Sequence, residues 1–150
     1  MQAKDIMTKE VITARPEQTV REVAKILADK KISGVPVVDE AGKIVGIVTE
    51  ADLLVQTQKL KVPSYVQLLG GIIYLDSVKE FEEDLRKAVA VQVKDIMTTD
   101  VVTVEEDAEI EDIATTMADE GINRLPVVRD GALVGIVSRA DIVKALAKRD

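Results

Sequence analysis

Apolar residues recur at helical spacing in two stretches that lie ninety residues apart. Val20, Val23, Ala24, Leu27 and Ala28 share one helix face, and Ile110, Ile113, Ala114, Met117 and Ala118 repeat it. Thr19, followed three positions later by Glu22, fits a capping box at the start of the first helix. A short β-prone run precedes each helix, at residues 11–14 and 101–104. A pair of apolar runs follows each one. Residues 35–38 join 44–48 through Asp39-Glu40-Ala41-Gly42, and residues 125–128 join 133–137 through a turn containing Asp130-Gly131, a tight-hairpin signal. Pro36 and Pro126 cannot donate to a ladder, which places them at a strand start or edge. Gly46 and Gly135, inside strand patterns, mark close approach of packed neighbours or of a ligand. The last helices begin near Glu50 and Arg139. Each copy therefore reads as strand, helix, strand, strand, helix.

The pattern repeats because the sequence does. Residues 4–54 are written again as 94–143. Lys4-Asp5-Ile6-Met7-Thr8 returns as Lys94-Asp95-Ile96-Met97-Thr98, and Pro36-Val37-Val38 as Pro126-Val127-Val128. Gly46-Ile47-Val48-Thr49-Glu50-Ala51-Asp52 returns as Gly135-Ile136-Val137-Ser138-Arg139-Ala140-Asp141. Two like units in one chain can pack about a pseudo-two-fold axis and leave two related clefts at their junction.

Residues 59–93 have no counterpart in the duplication and hold every aromatic of the chain, Tyr65, Tyr74 and Phe81. Ser77 with Glu80 can cap a helix that carries Val78, Phe81, Leu85, Ala88 and Val89 on one side. The apolar run from 66 to 75 is broken by Gly70 and Gly71. Two readings fit this insert: a lid or self-association surface, or a segment that packs back on its own core. The divisions expected are 1–58, 59–93 (mainly helical) and 94–150.

Composition narrows the chemistry. With 150 residues, 47% hydrophobic but only 2% aromatic, the core must be aliphatic, and the chain is long enough to bury about 70% of its unfolded surface. There is no cysteine and no histidine, so disulfides, thiol nucleophiles, His-dependent triads and thiolate or imidazole zinc sites are excluded. No glycine-rich phosphate loop is present, and the chain is not expected to be an enzyme. The acidic run Glu105, Glu106, Asp107 and Glu109 fits helix-start electrostatics rather than a metal site. Net charge is −7, with seven bases against thirteen acids from Lys94 onward. That field disfavours nucleic acid and anionic lipid. No apolar stretch is long enough for a bilayer or a signal segment, so the chain reads as cytoplasmic.

The duplicated series of Asp-Ile-Met-Thr, amphipathic helix, Gly-Val-Pro-Val-Val-Asp and Gly-Ile-Val-Thr-x-x-Asp resembles a tandem pair of CBS domains, the Bateman module. It covers about two-thirds of the chain. The resemblance implies an α/β (α+β) fold of two β-α-β-β-α units packed with pseudo-two-fold symmetry. It also implies a homodimer, an adenosine ligand such as AMP, ADP, ATP, S-adenosylmethionine or cyclic di-AMP, and regulation of a separate target protein. No cofactor is required. The alternative is a structural or protein-interaction module with empty clefts.

The resemblance also implies site residues. Asp141 and Asp52 match the acid that accepts hydrogen bonds from both ribose hydroxyls, and Ser138 and Thr49 the hydroxyl three positions earlier. A carboxylate only accepts, which suits a vicinal diol. Without the motif these pairs would read as helix caps. The Asp141 pocket takes Thr8, Val11, Thr13, Ile32 and Ser33. The Asp52 pocket takes Thr98, Val101, Thr103, Ile122 and Asn123. The segment Ile122-Asn123-Arg124-Leu125-Pro126 resembles the Ile-His-Arg-Leu-Pro segment of the nucleotide-sensing gamma subunit of AMP-activated protein kinase. This assigns Arg124 to phosphate, with Asn123 in place of the His. Arg139 is either a second phosphate contact or a solvated helix residue. Gly34 and Glu50 stand at the places of Arg124 and Arg139 in the first copy, so the Asp52 site is expected to be the weaker one.

Overall fold

A computed structural model describes residues 1–58, 63–75 and 77–149. Its elements are α1 (Ala3–Ile6), α2 (Val20–Lys30), β1 (Gly34–Val38), β2 (Ile44–Thr49), α3 (Glu50–Gln58), β3 (Tyr65–Leu68), β4 (Gly71–Tyr74), α4 (Val78–Ala90), a 3-10 turn (Val93–Asp95), β5 (Val104–Glu105), α5 (Ile110–Glu120), β6 (Arg124–Arg129), β7 (Ala132–Ser138) and α6 (Arg139–Ala147). Strand β1 pairs with β2, and β5, β6 and β7 form a three-stranded sheet.

The chain divides into two compact units that are interleaved in sequence: residues 1–14, 36–47 and 98–150, and residues 15–35 and 48–97. In the first unit, β5 runs parallel to β6 and β6 antiparallel to β7, with a bulge at Val127/Val128. Asp130 and Gly131, both at positive φ, close the β6–β7 hairpin, as a two-residue turn between right-twisted strands requires. The periodic face of α5 supplies Ile110, Ile113 and Met117 to a core that also holds Ala3, Leu125, Val127, Val137, Ile142 and Ala145. Gly135 faces Met7 so closely that a Cβ there would collide with the Met7 sulfur and lie 2.8 Å from its Cγ. Packing therefore accounts for this glycine.

The leading segment of the first copy is built into this unit. Ala3 N–H donates to Ala108 O (2.8 Å), Lys4 N–H to Glu106 O (2.9 Å) and Ile110 N–H to Met1 O (3.0 Å). Thr8 and Ile136 exchange both backbone bonds, at 2.9 and 3.0 Å. Residues 1–8 thus complete the second copy of the repeat.

The second unit mirrors this arrangement. Val93 N–H donates to Gln18 O (2.8 Å), Lys94 N–H to Pro16 O (3.0 Å) and Val20 N–H to Val91 O (2.8 Å), so residues 91–94 attach to the first copy's α2. That helix buries Val20, Val23 and Leu27, and Glu22 N–H donates to Thr19 Oγ1 at 3.2 Å. Its C-terminal residue Lys31 sits at φ 54°, where α5 ends on Gly121 at φ 66°. Helix α4 is capped by Ser77, whose Oγ accepts from Glu80 N–H at 3.2 Å.

Three expectations need correction. Residues 11–13 form no strand; only Ala14 pairs, bridging Val37 in parallel through Ala14 N–H to Pro36 O and Val38 N–H to Ala14 O. Residues 101–103 are likewise outside the sheet, which starts at Val104. Each copy begins instead with a helical turn, α1 or the 3-10 turn, because its backbone groups are satisfied across the repeat rather than along a strand. The acidic run also does more than serve a helix start. Glu106 is held by Arg129 through two bonds of 2.6 Å, and Glu111 and Asp112 occupy the first turn of α5.

Candidate functional site

The β7–α6 junction carries the candidate acid Asp141 and hydroxyl Ser138. Ser138 ends β7 and caps α6 in a reciprocal box: Asp141 N–H donates to Ser138 Oγ (3.2 Å), while Ser138 N–H and Oγ–H donate to Asp141 Oδ2 (2.8 and 2.9 Å). The cap therefore engages one oxygen of the Asp141 carboxylate. Among the described residues every hydrogen bond to the half-buried carboxylate ends on Oδ2 and none reaches Oδ1.

The sheet brings other assigned residues to the end of β7 that carries Ser138. Arg124 is the ladder partner of Ser138, and Asn123 O accepts from Arg139 N–H at 2.9 Å. Thr8, bonded to Ile136, lies two residues along β7 from Ser138. Arg124, Arg139, Asn123 and Thr8 are exposed. Neither arginine has an ion-pair partner among the described residues, where the pairs are Met1–Glu109, Arg129–Glu106 and Arg149–Glu111. Val11 and Thr13 are half-buried on the loop between Thr8 and Ala14.

Asp141 also borders a cavity of about 300 Å³ whose other walls are Met1, Asp5, Ile6, Lys144, Ala145 and Lys148. Arg124 does not line it. Lys144 and Lys148 were missed in the sequence, although their spacing of three and seven residues from Asp141 puts all three on one helical face. They bring two ammonium groups to the wall that holds the carboxylate.

The second unit repeats the junction at β2–α3. Thr49 N–H donates to Asp52 Oδ2 at 2.8 Å and Thr49 Oγ1 at 3.3 Å, and Glu50 N–H donates to Ser33 O at 2.9 Å. Ser33 is exposed and Ile32 half-buried. Gly34 stands where the other copy has Arg124, and a Cβ there would lie 3.1 Å from both Thr49 Cγ2 and Val48 O. The missing base thus has a packing cause. The remaining residues assigned to this site belong to the first unit. Thr98 exchanges backbone bonds with Ile47 (2.9 and 3.0 Å), Val101 and Thr103 are half-buried in the segment leading to β5, and Ile122 packs against the core. No group of His, Cys, Asp and Glu suited to a metal occurs among the described residues.

Two helix-capping acids in a duplicated strand–helix junction define a class. The chain belongs to the CBS domain family, whose sequence pattern matches residues 3–56 and 93–148. It is 36% identical over 154 residues to uncharacterized protein MJ1426 of Methanocaldococcus jannaschii, covering 97% of this chain and 91% of that protein. Other curated relatives are much longer. The chain spans 23% of inosine-5'-monophosphate dehydrogenase from the same organism, at 35% identity over 143 residues and 95% of this chain. Among solved structures it is similar to CBSX2 in complex with AMP (TM-score 0.74, 27% identity, 98% of this chain and 96% of that one). It is also similar to the CBS domain pair of protein MJ0100 in complex with 5'-methylthioadenosine and S-adenosyl-L-methionine (TM-score 0.69, 30% identity, 100% and 98%). No helix among the described residues is long and apolar enough to cross a membrane.

Proposed function

We propose that this chain is a regulatory rather than catalytic module that binds an adenine nucleotide and acts, as a homodimer, on a separate target protein. Its working divisions are the two CBS units, residues 1–58 and 94–150, and the insert 59–93. One observation carries the reading. Asp141 is half-buried at a helix start with one oxygen engaged in the cap and the other without a partner among the described residues. A carboxylate held in this way accepts from a ribose diol without having to be ordered first, at about 1.5–3 kcal/mol per charged bond. Arg124, Arg139, Lys144 and Lys148, none of them ion-paired among the described residues, supply positive charge for phosphate, and Ser138 and Thr8 supply hydroxyls. Asp52 offers the same acceptor with no arginine at the two matching places, so the Asp141 site is the tighter. The AMP and S-adenosylmethionine complexes of similar proteins support the adenosine part of the reading.

The test is a melting-temperature panel with AMP, ADP, ATP, S-adenosylmethionine, cyclic di-AMP and adenosine. At one hundred times Kd a ligand selective for the native state adds about 2.7 kcal/mol, or about 5–10 °C for a chain of this length. No shift with any of them would leave a protein-interaction module as the function.

A further inference from the structure

The insert holds a cavity of about 450 Å³ between the β3–β4 hairpin and the first turns of α4. Strands β3 and β4 pair antiparallel in the register Tyr65↔Tyr74, Val66↔Ile73, Gln67↔Ile72 and Leu68↔Gly71. Leu69 and Gly70 turn the chain at φ 49° and 78°, where Asn-Gly or Asp-Gly would be favoured. Leu75 N–H donates to Ser64 O at 2.8 Å, which makes 65/74 a pair without ladder bonds, the kind whose side chains lie closest. Tyr65 and Tyr74 meet there with ring centroids 6.2 Å apart and planes inclined at 61°. They form two walls of a corner, not a stack. From the other side α4 contributes Val78, Phe81 and Glu82, three and four residues apart on one helical face.

Every aromatic ring of the chain thus lines one cavity. Tyr65 and Tyr74 are 59% and 52% exposed, so the rings are not there as core and a ligand can reach them. A cross-strand aromatic pair by itself steadies a hairpin. That role calls for neither a third ring nor a carboxylate on the facing helix.

Charge selects the occupant. Glu82 is the only charged residue in the lining. Around it, the first turns of α4 carry Glu80, Glu82, Glu83 and Asp84 against Lys79 alone. This excess of acid outweighs the roughly half-unit positive charge of a helix start. Phosphate and carboxylate ligands are therefore repelled and cations attracted. A ring face draws a cation that lies within about 6 Å of its centroid, and several rings beside an acid suit a methylated ammonium, whose methyl groups pack on the rings. Such a group donates no hydrogen bond, so it loses nothing against apolar walls. The volume lies in the ~300–1,000 Å³ range of small-molecule sites.

We propose that this cavity binds a small quaternary ammonium compound. The site lies wholly in the second unit and shares no residue with the Asp141 or Asp52 sites, so the inference is independent of the nucleotide.

Tyr65 and Tyr74 are the only tyrosines and the chain has no tryptophan, so tyrosine emission reports on these walls alone. The full chain is titrated with choline and with tetramethylammonium at constant ionic strength, and with 3,3-dimethylbutan-1-ol, the uncharged isostere of choline. Both cations are expected to change the emission saturably, with Kd in the millimolar range or below, and the alcohol to bind at least about tenfold more weakly. Phe81→Leu, which keeps both tyrosines, is expected to weaken choline about three- to tenfold. Glu82→Gln, at an exposed position that leaves the fold intact, is expected to weaken choline and leave the alcohol unchanged. No saturable change with either cation, an alcohol that binds as tightly as choline, or choline binding untouched by both variants overturns the proposal. A trimethyllysine peptide that binds more than tenfold tighter than choline overturns the small-molecule assignment in favour of a modified protein tail. None of these outcomes depends on the nucleotide panel.

Discussion

Arg124 and Ser138 are partners across the β6–β7 ladder, at the strand end from which α6 departs. Arg124 therefore stands across the ladder from the residue that caps the helix carrying Asp141. Arg124→Ala is expected to weaken AMP about tenfold or more and adenosine hardly at all. Titration calorimetry of both ligands decides it, since equal losses would remove Arg124 from phosphate binding. Lys144→Ala, measured in parallel, reports on the lysines of the cavity that Asp141 borders and Arg124 does not.

Asp141 caps the helix through one oxygen and the proposed ligand contact would use the other, so two substitutions separate the roles. Asp141→Asn keeps an acceptor for Ser138 N–H and is expected to leave the unliganded melting temperature within about 2 °C, while nucleotide affinity falls roughly ten- to hundredfold with the lost charge. Asp141→Ala is expected to cost about 1 kcal/mol of stability in addition. If Asn binds nucleotide as tightly as Asp, the carboxylate has only a capping role.

Lys31 and Gly121 end equivalent helices in the same left-handed conformation. Glycine pays no Cβ penalty there. Lys31→Gly is expected to stabilise the protein by about 0.5–1 kcal/mol and Gly121→Lys to destabilise it similarly, by urea midpoint at constant slope.

Gly135 leaves room for Met7, whose neighbour Thr8 is bonded to Ile136. Gly135→Ala is expected to cost about 1–3 kcal/mol through overpacking. Combining it with Met7→Ala should recover part of that loss. Strictly additive costs in the double-mutant cycle would show that the two positions do not touch.

The Arg129 guanidinium, hydrogen-bonded to Glu106, holds that carboxyl below its ordinary value of 4.5. A depressed folded-state value adds stability above the unfolded value and loses it as pH falls through the folded one. Arg129→Gln is therefore expected to lower the melting temperature near neutral pH, with the difference from the unmodified chain vanishing as pH falls through the folded-state value, so that the acid limb becomes shallower. Because the pair is exposed, the difference should shrink in high salt. An unchanged acid limb would mean the pair is broken in solution.

Much of the fold could be read from periodicity, because α2 and α5 bury the faces their spacing marked: Val20, Val23 and Leu27, and Ile110, Ile113 and Met117. The Asp130-Gly131 turn and the Ser77 cap were legible for the same reason, since local chemistry determines them. What was hidden is non-local. Helix α1 has four residues, too few to show a period, and Ala3 N–H finds its acceptor at Ala108. The run at residues 11–13 has strand composition but no strand beside it. In the candidate site, the repeat pointed to Asp141 and Ser138 and the family resemblance to Arg124, whereas Lys144 and Lys148 lie past the duplicated stretch. The hairpin was visible only as an interruption, because Leu69 is the wrong residue for the turn it makes.

The lending of residues 1–8 to the later copy, and of residues 91–98 to the earlier one, has a genetic corollary. Following the chain from end to end means changing units four times, so neither copy can be cut out, transplanted or lost without taking its partner's first turn with it. Once such a duplication has exchanged its beginnings, natural selection must keep or discard the pair as a single inheritance.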